Sequence, residues 1–254
     1  MASDQAKDAP ESKEGGFWQE SSRPLTALVF ILPLLAIYEI GMIAIGRESL
    51  RNGADALLRR FLDLLGFSQY FLLPLLTCSI LLAWHHLTGR PWKIQWRVLP
   101  FMLAETALLA ILLIGLFRVF TWLMPAAIAL DLSATQLQAF FAKMVLYMGA
   151  GIYEELLFRL ILLMGLAGIA RLVGVSAWWS YVLAGAMSAI LFSLAHHLPG
   201  GETFDWNSRT SWRNFAFRTA AGIFFAVLFL YRGFGIAAAT HALYDVCTEF
   251  DSAG

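Results

Sequence analysis

Three short patterns set acids, imidazoles and an arginine inside apolar stretches of this chain. In GIYEELLFRL, Glu154 and Glu155 are followed by Arg159. In LFSLAHH, Phe192 is followed by His196 and His197, and in HALYD, His241 is followed by Asp245. An ionisable group in hydrocarbon costs at least about 2.5–3.5 kcal/mol on insertion scales, so such residues either do chemistry or pair inside a bundle. Spacing sorts them. Glu155 and Arg159 are four apart, share a helix face and can pair. Glu154 is turned by about 100° from Glu155 and points elsewhere. Phe192 and His196 share a face, with His197 turned aside, and His241 shares a face with Asp245. If these three faces converge, they enclose a polar chamber suited to hydrolysis. A carboxylate can take a proton from water, and a histidine can share that proton or orient the water. A second histidine with a hydrogen-bonding neighbour can stabilise an oxyanion. No Ser or Cys nucleophile is needed, and nothing favours Ser193 over water.

The elements that must carry these patterns are apolar and long. Seven segments, roughly 25–46, 66–87, 98–124, 138–168, 176–198, 212–231 and 233–250, approach the ~20 residues needed to span a bilayer. The fourth is too long for one perpendicular crossing, so it tilts or starts in the interface around Gln136 to Lys143. The last is interrupted by His241 and Asp245. Between the first two, Arg51 to Leu65 reads as an amphipathic helix lying in the interface. Trp84, Trp92, Trp96, Trp122, Trp178, Trp179 and Trp212 fall near segment ends, where amphipathic rings form a belt. The predicted fold class is therefore all-α: a polytopic membrane bundle of about seven transmembrane helices plus an interfacial helix. The expected organisation is a polar tail over 1–24 and a single transmembrane domain over 25–254, with the motif-bearing core at about 140–250.

Composition agrees. Of 254 residues, 59% are hydrophobic and 14% charged, against about 45–50% and about 25% in soluble domains. Mean hydropathy is +0.67. Net charge is zero, which gives no reason to expect nucleic acid. Cys78 and Cys247 make neither a disulfide framework nor a zinc pattern and read as small buried hydrophobes. The N-terminal tail is too polar and acidic for a signal peptide, so the first segment is expected to be an uncleaved anchor. Basic residues divide almost evenly between the two sides, with a lean towards the N-terminus inside.

The ordered set Glu154-Glu155-xxx-Arg159, Phe192-xxx-His196 and His241-xxx-Asp245 resembles the CPBP family. That family comprises the CAAX prenyl endopeptidases and the Abi-type, bacteriocin-processing relatives, whose signatures are EExxxR, FxxxH and HxxxN or HxxxD on separate membrane helices. The resemblance covers about residues 140–250 and extends to FRTAAGIFFAVLFLYRGFGIAAATHALYD. It implies a glutamate-type intramembrane protease. Glu154 matches the residue that activates water, and His196 the histidine that assists it. His241 and Asp245 match the oxyanion pair. Asp245 departs from the commoner Asn, and must be protonated or serve to orient His241. Glu155, Arg159 and Phe192 shape and neutralise the site.

The resemblance implies no cofactor. Glu, His and Asp are also zinc ligands, so a catalytic zinc is the lesser alternative; HExxH is absent, as are paired Glu-xx-His motifs. The expected partners are a membrane-associated protein or peptide substrate and the lipid bilayer, with the oligomeric state open. The expected location is a bacterial inner membrane. A non-catalytic immunity or scaffold protein, binding a peptide in the same chamber, is the competing reading. A proton-coupled transporter ranks below it for want of an inverted repeat. Glu39 and Glu105 match no motif and read as structural, although Glu39 could line the cavity. His85 and His86 read as interfacial beside Trp84, and Gly185 with Ala189 as a small-residue packing pair.

Overall fold

The computed structural model describes residues 16–46, 51–123, 136–197 and 203–253, and all regular structure in them is helical. In chain order the helices are α1 (Phe17–Ser21), α2 (Pro24–Ile45), α3 (Gly53–Leu64), α4 (Leu72–Leu87), α5 (Val98–Leu123) and α6 (Gln136–Glu155). A π-helical stretch (Leu156–Leu163) then leads into α7 (Met164–Leu172), and α8 (Ala177–Ala195), α9 (Arg209–Arg232) and α10 (Phe234–Ala253) follow. The seven apolar segments return as α2, α4, α5, the α6–α7 run, α8, α9 and α10. By length and composition, α2, α5, α8 and α9 can cross a membrane. Their outer faces carry exposed apolar side chains such as Ile40, Ile43, Leu108 and Ile111. Helices satisfy their own backbone groups, so such faces can meet lipid. The chain is an integral membrane helix bundle.

Two boundaries differ from the sequence expectation. The segment expected over 66–87 becomes helical only at Leu72. Gly66 takes a left-handed φ of 87°, which closes α3, and Pro74 falls in the first turn of α4, where its missing N–H costs nothing. The long fourth segment is one continuous run from Gln136 to Leu172, about 55 Å at 1.5 Å per residue, against about 30 Å of hydrocarbon.

The polar stretch expected as a tail is also partly folded. Residues 1–15 lie outside the described residues, but α1 docks onto the bundle with Ser21 fully buried. Arg232, at the C-terminal end of α9, donates to both carboxylate oxygens of Glu105 (2.5 and 2.6 Å) and to Ser21 Oγ (2.9 Å). Its guanidinium also lies 4.0 Å from the Trp18 ring centroid. Arg23 pairs with Glu20 at 2.5 Å and donates to the Pro91 carbonyl at 2.7 Å. His85, in the last turn of α4, is fully buried beside the Trp92 ring (4.9 Å), while His86 is exposed. Trp92, Trp96, Trp122, Trp178, Trp179 and Trp212 are exposed, as a belt requires, whereas Trp84 packs on Phe229.

The centre of the bundle is α10, in which every residue from Phe234 to Ala242 is buried. Its sequence FGIAAATHA is built of small side chains, which let neighbouring backbones approach closely. Gly151 of α6 sits against Ala238 and Ala242; a Cβ there would run into the Ala238 carbonyl. On the other side, a Cβ on Gly222 of α9 would lie 2.9 Å from Ala189 Cα of α8, and one on Gly185 would lie 3.7 Å from Ala226 Cβ. The Gly185–Ala189 pair thus packs α8 on α9 as its spacing suggests. These close approaches bring α6 onto α10 and α8 onto α9, which itself packs on α10.

Candidate active site

His241 is the hub. It lies midway along α10, 4% exposed, and both its ring nitrogens face acids. Nδ1 is 2.8 Å from Glu155 Oε1. Nε2 is 3.7 Å from Glu154 Oε2 and 3.6 Å from Asp245 Oδ2. Adjacent glutamates on one helix thus reach two sides of one imidazole. The 100° offset predicts that Glu154 and Glu155 diverge, and at the Cα they do. Their side chains reconverge because Gly151 lets α10 come close enough for the ring to stand between them.

Glu155 is fully buried and meets both Arg159 and His241 with one oxygen. Arg159 Nη1 lies 3.0 Å from Glu155 Oε1, the oxygen that also meets His241. The i,i+4 pair therefore closes as the spacing predicts, although the helix widens to π geometry at Leu156. Local π turns of this kind are rare and concentrate at functional sites. Arg159 is itself fully buried, donates to the Gly222 carbonyl (3.2 Å), and lies over the rings of Phe192 (4.6 Å) and Phe225 (5.4 Å). The closest hydrogen bond of His241 runs from Nδ1 to Glu155 Oε1, while Asp245 lies 3.6 Å from Nε2.

His196 caps the C-terminus of α8. Its Nδ1 is 2.9 Å from the Phe192 carbonyl. A carbonyl only accepts, so Nδ1 carries the hydrogen and Nε2 is left as an acceptor. Phe192 wedges between the two imidazoles, 4.9 Å from His196 and 5.8 Å from His241 in ring centroids. His197 turns aside to Phe204 and Phe215, as expected for the neighbour of a site histidine.

These residues open on one cavity of about 1210 Å³. Glu154, His196, His241 and Asp245 line it, together with Phe192 and Phe225. Glu155 and Arg159 stand behind that wall. Arg51, Arg60, Arg213 and Arg218 also line the cavity, so cationic side chains surround the acids in it. The structure thus brings the three motifs into one chamber.

Two contributors carry no signal in the motifs. Phe225 stacks on His241 with ring centroids 4.5 Å apart and planes at 16°. Asn52, just before α3, donates from Nδ2 to Glu154 Oε1 at 2.7 Å. Glu39, the other unassigned acid, belongs to an adjoining polar cluster: Tyr153 donates to it at 2.6 Å and Arg59 lies 3.3 Å away. Cys78 and Cys247 are free and partly buried, away from this chamber.

The helices enclose a chamber lined by two imidazoles, His196 and His241, and two acids, Glu154 and Asp245. Residues 136–247 match the family model described as type II CAAX prenyl endopeptidase, Rce1-like. The matched stretch contains all three motifs, from Glu154 to Asp245. No curated protein and no solved structure matches the chain.

Proposed function

We propose that this chain is an intramembrane endopeptidase that hydrolyses a peptide bond of a membrane-associated protein or peptide with water activated by Glu154. The observation that carries this reading is the division of labour between the two adjacent glutamates. Glu155 is tied to Arg159 and His241 at 3.0 and 2.8 Å and stands behind the cavity wall, whereas Glu154 is one of the residues that line the cavity. Glu154 Oε2 takes a proton from water, and His196 Nε2 accepts the second water hydrogen and fixes the attack direction. The water oxygen bonds to the scissile carbonyl carbon, and the carbonyl electron pair moves onto oxygen. His241, flanked by carboxylates at both nitrogens, acts as an imidazolium and donates Nε2–H to that oxyanion. Collapse of the tetrahedral intermediate breaks the C–N bond, and Glu154 returns the proton to the leaving amine. Arg159 and Glu155 hold His241 in orientation, with Phe225 and Phe192 fixing the ring planes. No step is assigned to a metal.

The test compares membrane-protein termini, by mass spectrometry, in cells carrying wild type or Glu154→Gln at equal expression. Termini found only with wild type would identify both the activity and its substrate. Identical lists from folded, equally abundant proteins would overturn the peptidase reading and favour a peptide-binding role. Cleavage abolished by chelator and restored by zinc would replace the metal-free mechanism with a zinc one.

A further inference from the structure

The amphipathic α3 is clamped to the bundle by one buried carboxylate. Asp55 is fully buried and accepts three hydrogen bonds of 2.7 Å, from Tyr38 Oη, from Arg51 Nη1 and from Arg59 Nε. Arg59 continues to Glu39, and Glu39 accepts from Tyr153, the residue before Glu154. A carboxylate with three charge-assisted or buried donors is a firm anchor. It fixes the N-terminus of α3 beside α6. There, Asn52 uses both ends of its amide: Oδ1 caps the helix by accepting from Ala54 N–H at 2.8 Å, and Nδ2 donates to Glu154 Oε1 at 2.7 Å. The cap determines which end of the amide is oxygen, so the end facing Glu154 is the donor.

We propose that Asn52 is a positioning residue that holds Glu154 through Oε1 and thereby selects Oε2 as the oxygen that takes the proton from water. This inference rests on the peptidase reading for its catalytic consequence, but the hold on Glu154 is testable without cleavage. The selection follows from geometry. With Oε1 held, rotation of the carboxylate about its last bond is blocked, and Oε2, which has no hydrogen-bond partner, stays 3.7 Å from His241 Nε2. An acid free to rotate would spend part of its time with neither oxygen aimed at water, and small misalignments of this kind are costly in rate. Neither Glu154 nor His241 can supply the restraint, since their mutual distance is beyond hydrogen-bond range. Asn52 supplies it from an element outside the three motifs.

The cap and the donor can be separated. Asn52→Ser keeps an N-cap hydroxyl of similar capping strength but is too short to reach Glu154. Asn52→Asp keeps the cap and puts an acceptor where the donor stood. Cleavage is measured in proteoliposomes with an internally quenched prenylated CAAX peptide. Both variants are expected to lose about 10- to 100-fold in kcat, the range for a hydrogen bond to a charged group, with KM within threefold of wild type. A rise in KM with kcat unchanged would make Asn52 a substrate contact and overturn the proposal. In parallel, the folded proteins are treated with dicyclohexylcarbodiimide, which reacts with protonated carboxyl groups, and labelling is read at Glu154 relative to Asp245 by mass spectrometry. Loss of the Nδ2 donor leaves Oε1 unheld and open to the reagent, so the Glu154:Asp245 labelling ratio is expected to rise several-fold in Asn52→Ser. An unchanged ratio in a folded variant would overturn the proposal even if no peptide is cleaved. Conversely, a raised ratio with full cleavage by Glu154→Gln would leave the hold on Glu154 standing and refute the catalytic reading instead.

Discussion

Replacing Glu155 by Gln tests whether the buried charge pair or the protein around it supports the site. The change keeps size and shape and removes one negative charge. Arg159, fully buried, would be left with the Gly222 carbonyl at 3.2 Å and the faces of Phe192 and Phe225. At 3.0 Å and an effective dielectric of about 20, the lost Coulomb attraction is about 5–6 kcal/mol gross. The amide oxygen recovers part of this as a neutral hydrogen bond. Measured losses for breaking one side of a buried pair run at about 3–5 kcal/mol, and that is the expected destabilisation here. The double variant Glu155→Gln/Arg159→Met removes both charges, so most of the stability should return. Activity should not, because His241 Nδ1 has then lost its carboxylate partner. Reversible unfolding by SDS in mixed micelles measures the first quantity, and turnover per folded molecule the second. The reasoning is refuted if the single variant loses less than about 1 kcal/mol, or if the double variant recovers turnover together with stability.

Three further outcomes follow from other contacts. Asp245→Asn should keep at least a third of wild-type turnover, because Glu155 rather than Asp245 makes the close bond to His241; a loss above 100-fold would mean that the carboxylate itself takes part. Glu105→Gln strips the charge partner from Arg232 at the far end of α9 from the arginines that line the cavity. It should cost about 2–4 kcal/mol in SDS unfolding while turnover per folded molecule stays within twofold. Gly151→Ala adds a methyl against the Ala238 carbonyl and Ala242, so it should cost about 1–3 kcal/mol and lower kcat, since α6 must move away from His241; an unaltered kcat would show that the spacing of these two helices is not what aligns the acids.

The sequence made the bundle and the motif residues legible for a simple reason. Hydrocarbon penalises charge so heavily that Glu154, Glu155, Arg159, His196, His241 and Asp245 stand out against their surroundings. Their i,i+4 spacings then identify shared faces, and Glu155 does reach Arg159. What spacing cannot supply is the partner across helices. Glu155 reaches His241 over 86 positions of chain, and Asn52 reaches Glu154 over 102. Asn52 also precedes an amphipathic helix, where a polar residue is ordinary and nothing marks it out. Phe225 is one aromatic among many in FRTAAGIFFAVLFLYR, and only the docking of α9 on α10 reveals that it stacks on the imidazole. Likewise Glu105 and Arg232 are each unexplained alone and explained by one another. The π turn at Leu156 leaves no mark in a pattern read at 3.6 residues per turn.

The cavity has a bearing on supply as well as on binding. At about 30 Å³ per molecule of liquid, 1210 Å³ offers room for about 40 waters. Hydrolysis within a bilayer consumes a reagent that hydrocarbon excludes, and a reservoir of that size keeps it at hand for many turnovers. Water held there would also shield the lining acids and arginines from the full cost of immersion in oil. On the proposed reading, water is then plentiful beside Glu154, and the scarce species is the other one: a stretch of substrate backbone whose amide groups have given up their own hydrogen bonds to lie open at His241.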